Sequence, residues 1–384
     1  MNLMYNYAQS VYNYQRNLRQ YFHKYPELGG VEAVTQLKII GELKKLGIEY
    51  EIIDHSVIAY LTHHSKEPAI ALRCVMDALP IQERTNLEYK SSYNNIMHAT
   101  GNDLLMASAL GILKVLKEHD TQFKRNVVVI FESDSYRYSQ SKRILDNDKL
   151  NKIKYIYSLF PSANTKINTV DITPDQSFIG TEFLTIKWYG YSTAAGYAHN
   201  SEDTILASST FITQLRSMIA NHMSPDKIYS ITCTKSNGGF FHNMTADYSE
   251  LAINVRFDSF ETKKIIHEMI NRLIDMVKTS FKVETSITID NVIAPFTNNI
   301  EAGNFALQSL HRLSNKLSFE YSNPSMFATS FSEYLEHYKG AIILFGVEDH
   351  RVLNQPLYNS AFAPDDRGMT SATALFLQLV QDFK

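Results

Sequence analysis

Residues 103–131 read DLLMASALGILKVLKEHDTQFKRNVVVIF, and this stretch joins a helical pattern to a strand pattern. A helix is predicted over Leu104 to Lys117. Asp103 is its predicted N-cap, because an aspartate there accepts hydrogen bonds from unpaired backbone N–H groups. Val127 to Phe131 is a short apolar run that suits a buried strand. A helix leading into a buried strand indicates an α/β arrangement.

The same alternation extends outward from this stretch. Apolar residues recur at helical spacing from Val34 to Leu46, and Gly47 can end that helix without a Cβ penalty. Short β-rich runs are predicted as strands at 50–53, 57–61, 69–75 and 155–160. Helices alternating with such strands predict a mostly parallel sheet covered by helices, with ligands bound beyond the carboxyl ends of the strands.

The pattern changes from about Ser177. A compact α+β unit is predicted there, with strands at 183–189, 227–235, 248–258 and 286–290 and helices at 203–221 and 262–278. After about Phe296 the chain returns to helices around one buried strand. We therefore predict an α/β domain at residues 1–178 and 297–384, with a smaller lid and dimerisation domain inserted at 179–296. Three consecutive domains are the alternative.

Charge and cysteine content exclude several classes of protein. Lys and Arg total 37 against 40 Asp and Glu, a net charge of -3, so no basic field would attract nucleic acid or anionic lipid. The N-terminus lacks a cationic start followed by an apolar run, and no apolar run reaches membrane-spanning length. Cys74 and Cys233 lie far apart and have no metal-ligand spacing, which fits a reducing compartment. We predict a cytoplasmic protein.

Five segments, in order, resemble the amidohydrolase branch of the aminoacylase and carboxypeptidase G superfamily of zinc peptidases. That branch includes N-acetyldiaminopimelate deacetylase, hippurate hydrolase and auxin-conjugate hydrolases. The segments are RQYFHKYPEL at 19–28, LRCVMDALPIQE at 72–83, MHATGND at 97–103, the stretch 240–256, and LYNSAFAPDD at 357–366. The resemblance covers nearly the whole chain and implies the family's zinc-exopeptidase-like fold.

The same resemblance implies two metal ions held by a Cys, a Glu and three His residues. At those five positions this chain carries Thr100, Asn102, Tyr136, Ser158 and Tyr358, and Ser135 takes the place of the general base. Zinc needs thiolate, imidazole or carboxylate donors to lower the pKa of a bound water to about 7. The sequence therefore predicts no metal cofactor and no zinc-dependent hydrolysis.

Other polar residues near these motifs are candidates for ligand binding. They are Asp77, His98, Asp103 and Asn243. For His98 and Asp103, structural roles in a glycine turn and at a helix start are the favoured interpretation. Glu132 and Asp134 are alternative metal ligands. Shifting the motif alignment by two residues keeps the same strand face and would bring Asp134 to the position of Tyr136.

Three hypotheses follow. The first is a catalytically inactive pseudoenzyme, a homodimer through the lid, that binds a small amide, an amino-acid-like ligand or a protein partner in the former active-site cleft. In it, Tyr136 and Tyr358 are predicted to fill part of the cleft as members of a neutral hydrogen-bonded network. The second is an active N-acyl-amino-acid amidohydrolase that uses displaced carboxylates. The third is a structural partner of an active relative.

Overall fold

The computed structural model describes residues 2–64, 66–134, 140–321, 326–349 and 355–384. The chain divides into two compact units. Unit 1 comprises Met1–Gln176, Thr297–Asn323 and Glu333–Lys384, and unit 2 comprises Ser177–Phe296 and Pro324–Ser332. The domains predicted from the sequence, 1–178 with 297–384 and 179–296, remain a prediction.

Helices and strands alternate along the described chain. The helices are α1 (Leu3–Ser10), α2 (Tyr12–Lys24), α3 (Ala33–Leu46), α4 (Asn102–Glu118), α5 (Gln140–Leu145), α6 (Thr204–His222), α7 (Phe260–Phe281), α8 (Ile300–His311), α9 (Phe331–Leu335) and α10 (Gly368–Asp382). Short 3-10 helices lie at Asp148–Lys152 and Ala195–Asn200. The strands are β1 (Glu49–Ile53), β2 (Ser56–Leu61), β3 (Ala69–Val75), β4 (Asn126–Glu132), β5 (Ile153–Lys166), β6 (Thr169–Asp171), β7 (Ser177–Phe178), β8 (Gly180–Tyr189), β9 (Tyr229–Gly238), β10 (Tyr248–Phe257), β11 (Glu284–Ile293), β12 (Phe296–Thr297), β13 (Ser318–Glu320) and β14 (Lys339–Glu348).

Unit 1 is built on an eight-stranded sheet with the order β1-β2-β4-β3-β5-β14-β6-β13. Its central strands β4, β3, β5 and β14 are parallel to one another. On one side β1 and β2 add an antiparallel edge, and on the other β6 pairs antiparallel with β14. Every residue of β3 and β4 is buried. Uniform burial matches the continuous apolar runs of these strands, as expected where helices cover both faces.

The two helices highlighted by the sequence differ in how they start and end. Gly47 ends α3 in the left-handed region (φ 63°), and its N–H donates to the carbonyl of Leu43, which confirms the predicted stop. The predicted Asp103 N-cap is wrong. The N-cap of α4 is Gly101, at φ 78° and without a side-chain cap, and Asp103 lies inside the first turn. Its carboxylate is bound by side chains of α2 instead.

Unit 2 is an α+β structure around a four-stranded antiparallel sheet with the order β11-β8-β10-β9. Strand β10 alternates strictly between half-buried and buried residues, so one face of the sheet carries the core. Helices α6 and α7 supply the other side of that core, where Trp188, the single tryptophan of the chain, is fully buried 5.6 Å from the ring of Phe211.

These two architectures confirm the predicted fold class, a mostly parallel α/β sheet with a separate smaller α+β structure. The N-terminal helices α1 and α2 were not among the predicted elements. Of the helices in the described ranges, none combines the length and the apolar content needed to cross a bilayer.

Candidate functional site

Several predicted site residues lie at or near the carboxyl ends of the parallel strands of unit 1. Asp77 follows β3 by two residues, Glu132 ends β4, and Ser158 of β5 pairs with Arg73 of β3. Because parallel strands end at the same edge of a sheet, these residues are brought near one another although up to 81 positions separate them in the chain, from Asp77 to Ser158.

Three predicted residues lie elsewhere. Ser135 and Tyr136 belong to segment 135–139, which lies outside the described residues. Asn243 lies in unit 2 on an exposed loop, where its backbone oxygen accepts a hydrogen bond from the N–H of Ala195 at 3.0 Å. Asn243 therefore has a backbone role within its own unit.

Thr100, Gly101 and Asn102 form the turn that begins α4. A Cβ at Gly101 would approach Cγ of Pro161 to 2.6 Å, so both the space and the positive φ require glycine. The buried side chain of Asn102 donates from Nδ2 to the backbone oxygen of Asp77 at 2.7 Å. Asn102 thereby fastens the start of α4 to the segment after β3.

Ser158 and Tyr358 occupy the two remaining described positions of the implied metal site. Ser158 is fully buried, and its Oγ donates to the backbone oxygen of Arg73 at 3.1 Å. Tyr358 has a φ of 67°, which is unusual for a bulky residue, and its N–H donates to the carbonyl of Ala99 at 2.9 Å. Its side chain is 43% exposed. It therefore does not fill a buried cavity within unit 1.

Glu132, one of the alternative ligands, is bound on both carboxylate oxygens. Arg73 donates to it through Nε at 2.8 Å and Nη2 at 2.9 Å, and the hydroxyl of Tyr334 donates at 2.7 Å. All three side chains are fully buried. A bidentate guanidinium pair with a third donor uses most of the acceptor capacity of a carboxylate. Glu132 is therefore part of a structural triad.

Asp103 belongs to a buried ionic cluster formed with Arg19, His23 and Glu83. Its Oδ2 accepts from Nε of Arg19 at 3.1 Å and lies 2.9 Å from Nδ1 of His23. Nε2 of His23 lies 3.1 Å from Oε1 of Glu83. Burial alone would raise the pKa of Asp103, but Arg19 and His23 hold it well below its usual range. Asp103 is thus a constant negative charge inside unit 1.

His98 is almost fully buried, beside the backbone of Asp77 and the carboxylate of Asp103. Burial lowers the pKa of His98 to about 4, since nearby Asp103 offsets only part of the desolvation. The ring is therefore neutral at physiological pH. This fits the structural role predicted for His98 better than a role as a charged ligand contact.

Asp134 ends the described part of the β4 segment at a strained position. Its φ is 48°, and its N–H donates to Oε1 of Glu32 at 2.6 Å. Burial raises the pKa of Glu32 to about 7. Asp77 and Asp134 are both buried and both have further interactions within the molecule. The backbone of Asp134 is therefore tied to the loop before α3.

The donors at the implied metal positions do not fit zinc. Thr100, Asn102 and Ser158 offer only neutral oxygen or amide groups, and two of these side chains are already bonded to backbone carbonyls. Within the described ranges, no group of three or more His, Cys, Asp or Glu side chains is arranged to hold a metal ion. The chemistry of the site therefore disagrees with the metal pair that the resemblance implies.

Sequence reasoning placed Arg19 and His23 in a motif but missed what they do. They are four residues apart on α2, so they share one helix face, and that spacing was the available signal. Glu83 and Tyr334 were missed because their partners lie 60 and 202 residues away in the chain.

Comparison with known proteins places this geometry in a family. The profile of peptidase family M20/M25/M40 matches residues 71–381. An N-acetyl-L-cysteine deacetylase of Bacillus subtilis is 26% identical over 358 residues, 93% of this chain and 85% of the relative. An N-acetyldiaminopimelate deacetylase of Oenococcus oeni is 25% identical over 364 residues, 92% of this chain and 94% of the relative.

The fold also matches solved structures. The YXEP protein of Bacillus subtilis, described as a dinuclear metal binding peptidase of the M20 family, superposes with a TM-score of 0.76 at 22% identity. The match covers 97% of this chain and 98% of that one. At this identity the likeness shows the shared fold.

Proposed function

This chain belongs to peptidase family M20/M25/M40, and from that premise we propose that it is a pseudoenzyme of the amidohydrolase branch. In this proposal it binds a small amide or amino-acid-like ligand without metal-dependent hydrolysis. The observation that carries the proposal is the donor set at the implied metal positions. Asn102 and Ser158 are bonded to backbone carbonyls, where the family has zinc ligands.

The engagement of the nearby acidic side chains supports the same proposal. Glu132 is held by Arg73 and Tyr334, and Asp103 is held by Arg19 and His23. Recruiting Glu132 to a metal would take this carboxylate from the fully buried Arg73, at a cost of about 3–5 kcal/mol, and recruiting Asp103 would weaken its contacts with Arg19 and His23. Of the four displaced carboxylates, this leaves Asp77 and Asp134 for a metal site.

The names of the relatives favour a second candidate, an active deacetylase of N-acylated amino acids. Such an enzyme would need a metal-bound or otherwise activated water to attack the amide carbonyl. It differs from the first proposal in one measurable respect, because its turnover would depend on added metal.

We expect no metal-dependent amide hydrolysis, because a water without a Lewis acid keeps a pKa far above neutral. The measurement is the release of free amine from N-acetylcysteine and N-acetyldiaminopimelate, with zinc, manganese or cobalt supplied and with a chelator in parallel. An active deacetylase of Bacillus subtilis is the positive control. Turnover that a chelator abolishes and metal restores would reject the pseudoenzyme and support the second candidate.

We propose the cytoplasm as the location of the protein, because Cys74 and Cys233 are both free thiols.

We further propose that the protein is a homodimer through unit 2. Unit 2 exposes apolar side chains in the loop after β9: Phe240 is 92% exposed and Phe241 61%. Contiguous exposed aromatic groups are typical of protein interfaces.

Replacing Phe240 and Phe241 together by serine is expected to shift the dimer toward monomer, because aromatic anchors supply much of the affinity of an interface. Sedimentation velocity across a concentration series measures this shift. Phe260→Ser, at another exposed phenylalanine of unit 2, is the matched control and should leave the dimer intact. A wild-type protein that sediments as monomer would refute the proposal.

A further inference from the structure

The ring of His23 lies between two carboxylates that come from different parts of unit 1. Nδ1 faces Asp103 of α4 at 2.9 Å, and Nε2 faces Glu83 of the irregular segment before α4 at 3.1 Å. Ionised carboxylate oxygens only accept hydrogen bonds, and a neutral imidazole has a single N–H. Both contacts can be hydrogen bonds only when the ring is an imidazolium.

The charges around His23 are unequal on its two sides. Asp103 is also bound by Arg19, which in turn pairs with Asp366. In the described parts of the chain, His23 is the only cationic side chain in an ion pair with Glu83. The remaining titratable groups facing the ring are Tyr89, edge-on at 5.6 Å, and the neutral His98. Loss of the proton therefore removes the only cation from Glu83 and leaves Asp103 with one.

Glu83 organises the irregular segment that follows it. Its Oε1 also accepts from the hydroxyl of Thr85, and its Oε2 accepts from the N–H of Ser91 at 2.6 Å. Two further ties to α2 are the bond from Nη1 of Arg19 to the hydroxyl of Tyr89 at 2.9 Å and the bond from the N–H of Ser92 to the carbonyl of Lys24 at 2.9 Å. Residues 84–91, here called the 84–91 loop, contain no helix or strand.

This loop forms one wall of an open surface cleft. The cleft has a volume of about 780 Å³, with Asn86 to Tyr89 on one side and α2 residues from Arg16 to Tyr25 on the other. A change in the position of the loop therefore changes the shape of the cleft.

We propose that His23 is a protonation-operated latch, which as an imidazolium holds Glu83 and with it the 84–91 loop against α2. On deprotonation it releases Glu83 and loosens the loop, which keeps its bonds through Tyr89 and the backbone N–H of Ser92. The release occurs on the Glu83 side, because Asp103 keeps its ion pair with Arg19 when His23 loses the proton. The side chain of Glu83 is 2% exposed while His23 holds it, so its carboxylate reaches water only when the 84–91 loop moves. The cleft beside α2 is wider when the latch is open.

The direction of the pH dependence follows from the balance of interactions at His23. Burial alone would lower the pKa of His23, but the hydrogen bonds to Asp103 and Glu83 raise it above its usual value. Because the pKa of His23 is raised in the folded protein, the protonated ring stabilises the latched form fully at any pH below the unfolded-state pKa of about 6.5. That stabilisation is lost as the pH rises through the folded-state pKa.

The test measures hydrogen exchange of the 84–91 loop in the wild-type protein from pH 5.5 to 9, normalised to the exchange rates of unstructured peptide. The protection factor of the Ser91 amide is expected to fall by about tenfold for each unit that the pKa of His23 lies above 6.5. An NMR titration of the His23 ring should show the same midpoint. Protection that stays constant while the ring titrates, or a ring that does not titrate in this range, would overturn the proposal.

Two variants sharpen the comparison. His23→Gln cannot become cationic, so the loop should exchange rapidly at every pH. His337→Gln changes an exposed histidine of the same unit and should keep the wild-type profile. If His23→Gln does not fold, the ring titration and the exchange of the wild-type protein still decide the question.

Discussion

Glu132→Leu is expected to destabilise unit 1 by about 3–5 kcal/mol, because it leaves the fully buried guanidinium of Arg73 without the carboxylate that binds it through two nitrogens. The loss exceeds that from an ordinary hydrogen bond, since an unpaired buried charge bears the full cost of desolvation. Urea unfolding followed by far-ultraviolet circular dichroism measures the change. Trp188 fluorescence reports on unit 2 alone, as this is the only tryptophan.

Two further variants show whether the charge is responsible. Arg73→Leu combined with Glu132→Leu removes both charges and should be less destabilising than Glu132→Leu alone. Tyr334→Phe removes one hydrogen bond to the carboxylate and should cost about 1.5–3 kcal/mol. If Glu132→Leu were as stable as the wild type, the carboxylate would not be structural. Its availability as a metal ligand would then have to be reconsidered.

Restoring all five ligand types together is expected to create tight zinc binding. The combined variant is Thr100→Cys, Asn102→His, Tyr136→Glu, Ser158→His and Tyr358→His. Structural zinc sites contribute roughly 10–16 kcal/mol, whereas fitting a larger side chain at the fully buried Ser158 costs about 1–3 kcal/mol. The free energy of metal binding is therefore large enough to offset the cost of repacking.

Competition with a chelator of known affinity measures the zinc dissociation constant of this variant. Tyr358→His alone is the matched control and should bind no zinc, because the other positions still lack ligands. Tight zinc binding by the single variant would mean that most of a metal site is already present. A folded five-position variant without zinc affinity would show that these are not the ligand positions.

The sequence predicted those features of the fold that depend on local patterns. The helix ending at Gly47 and strand β3 follow from apolar spacing and a left-handed glycine, and both were found where predicted. Strand β5 extends beyond the predicted run. The prediction stopped at Phe160 because the residues that follow are less apolar. The short stretch Pro324–Ser332 of unit 2 carries no sequence signal for its assignment.

The candidate site could be predicted in position but not in its bonding. Motif order identified Thr100, Asn102 and Ser158, yet the partners of Asn102 and Ser158 are backbone carbonyls that only the folded chain brings near. The N-cap prediction for Asp103 failed for the same reason. A local rule assigned its carboxylate to the helix start, whereas Arg19 and His23, which lie 84 and 80 residues away in the chain, provide stronger charged partners.

The most direct test of the central claim is the metal content of the wild-type protein, purified without chelator, incubated with excess zinc and then dialysed. Inductively coupled plasma mass spectrometry gives the number of metal ions per chain. The neutral donors at positions 100, 102 and 158 predict far less than one zinc, manganese or cobalt ion per chain. One or two ions per chain that survive dialysis would contradict the claim and would identify the protein as a metal-binding member of its family.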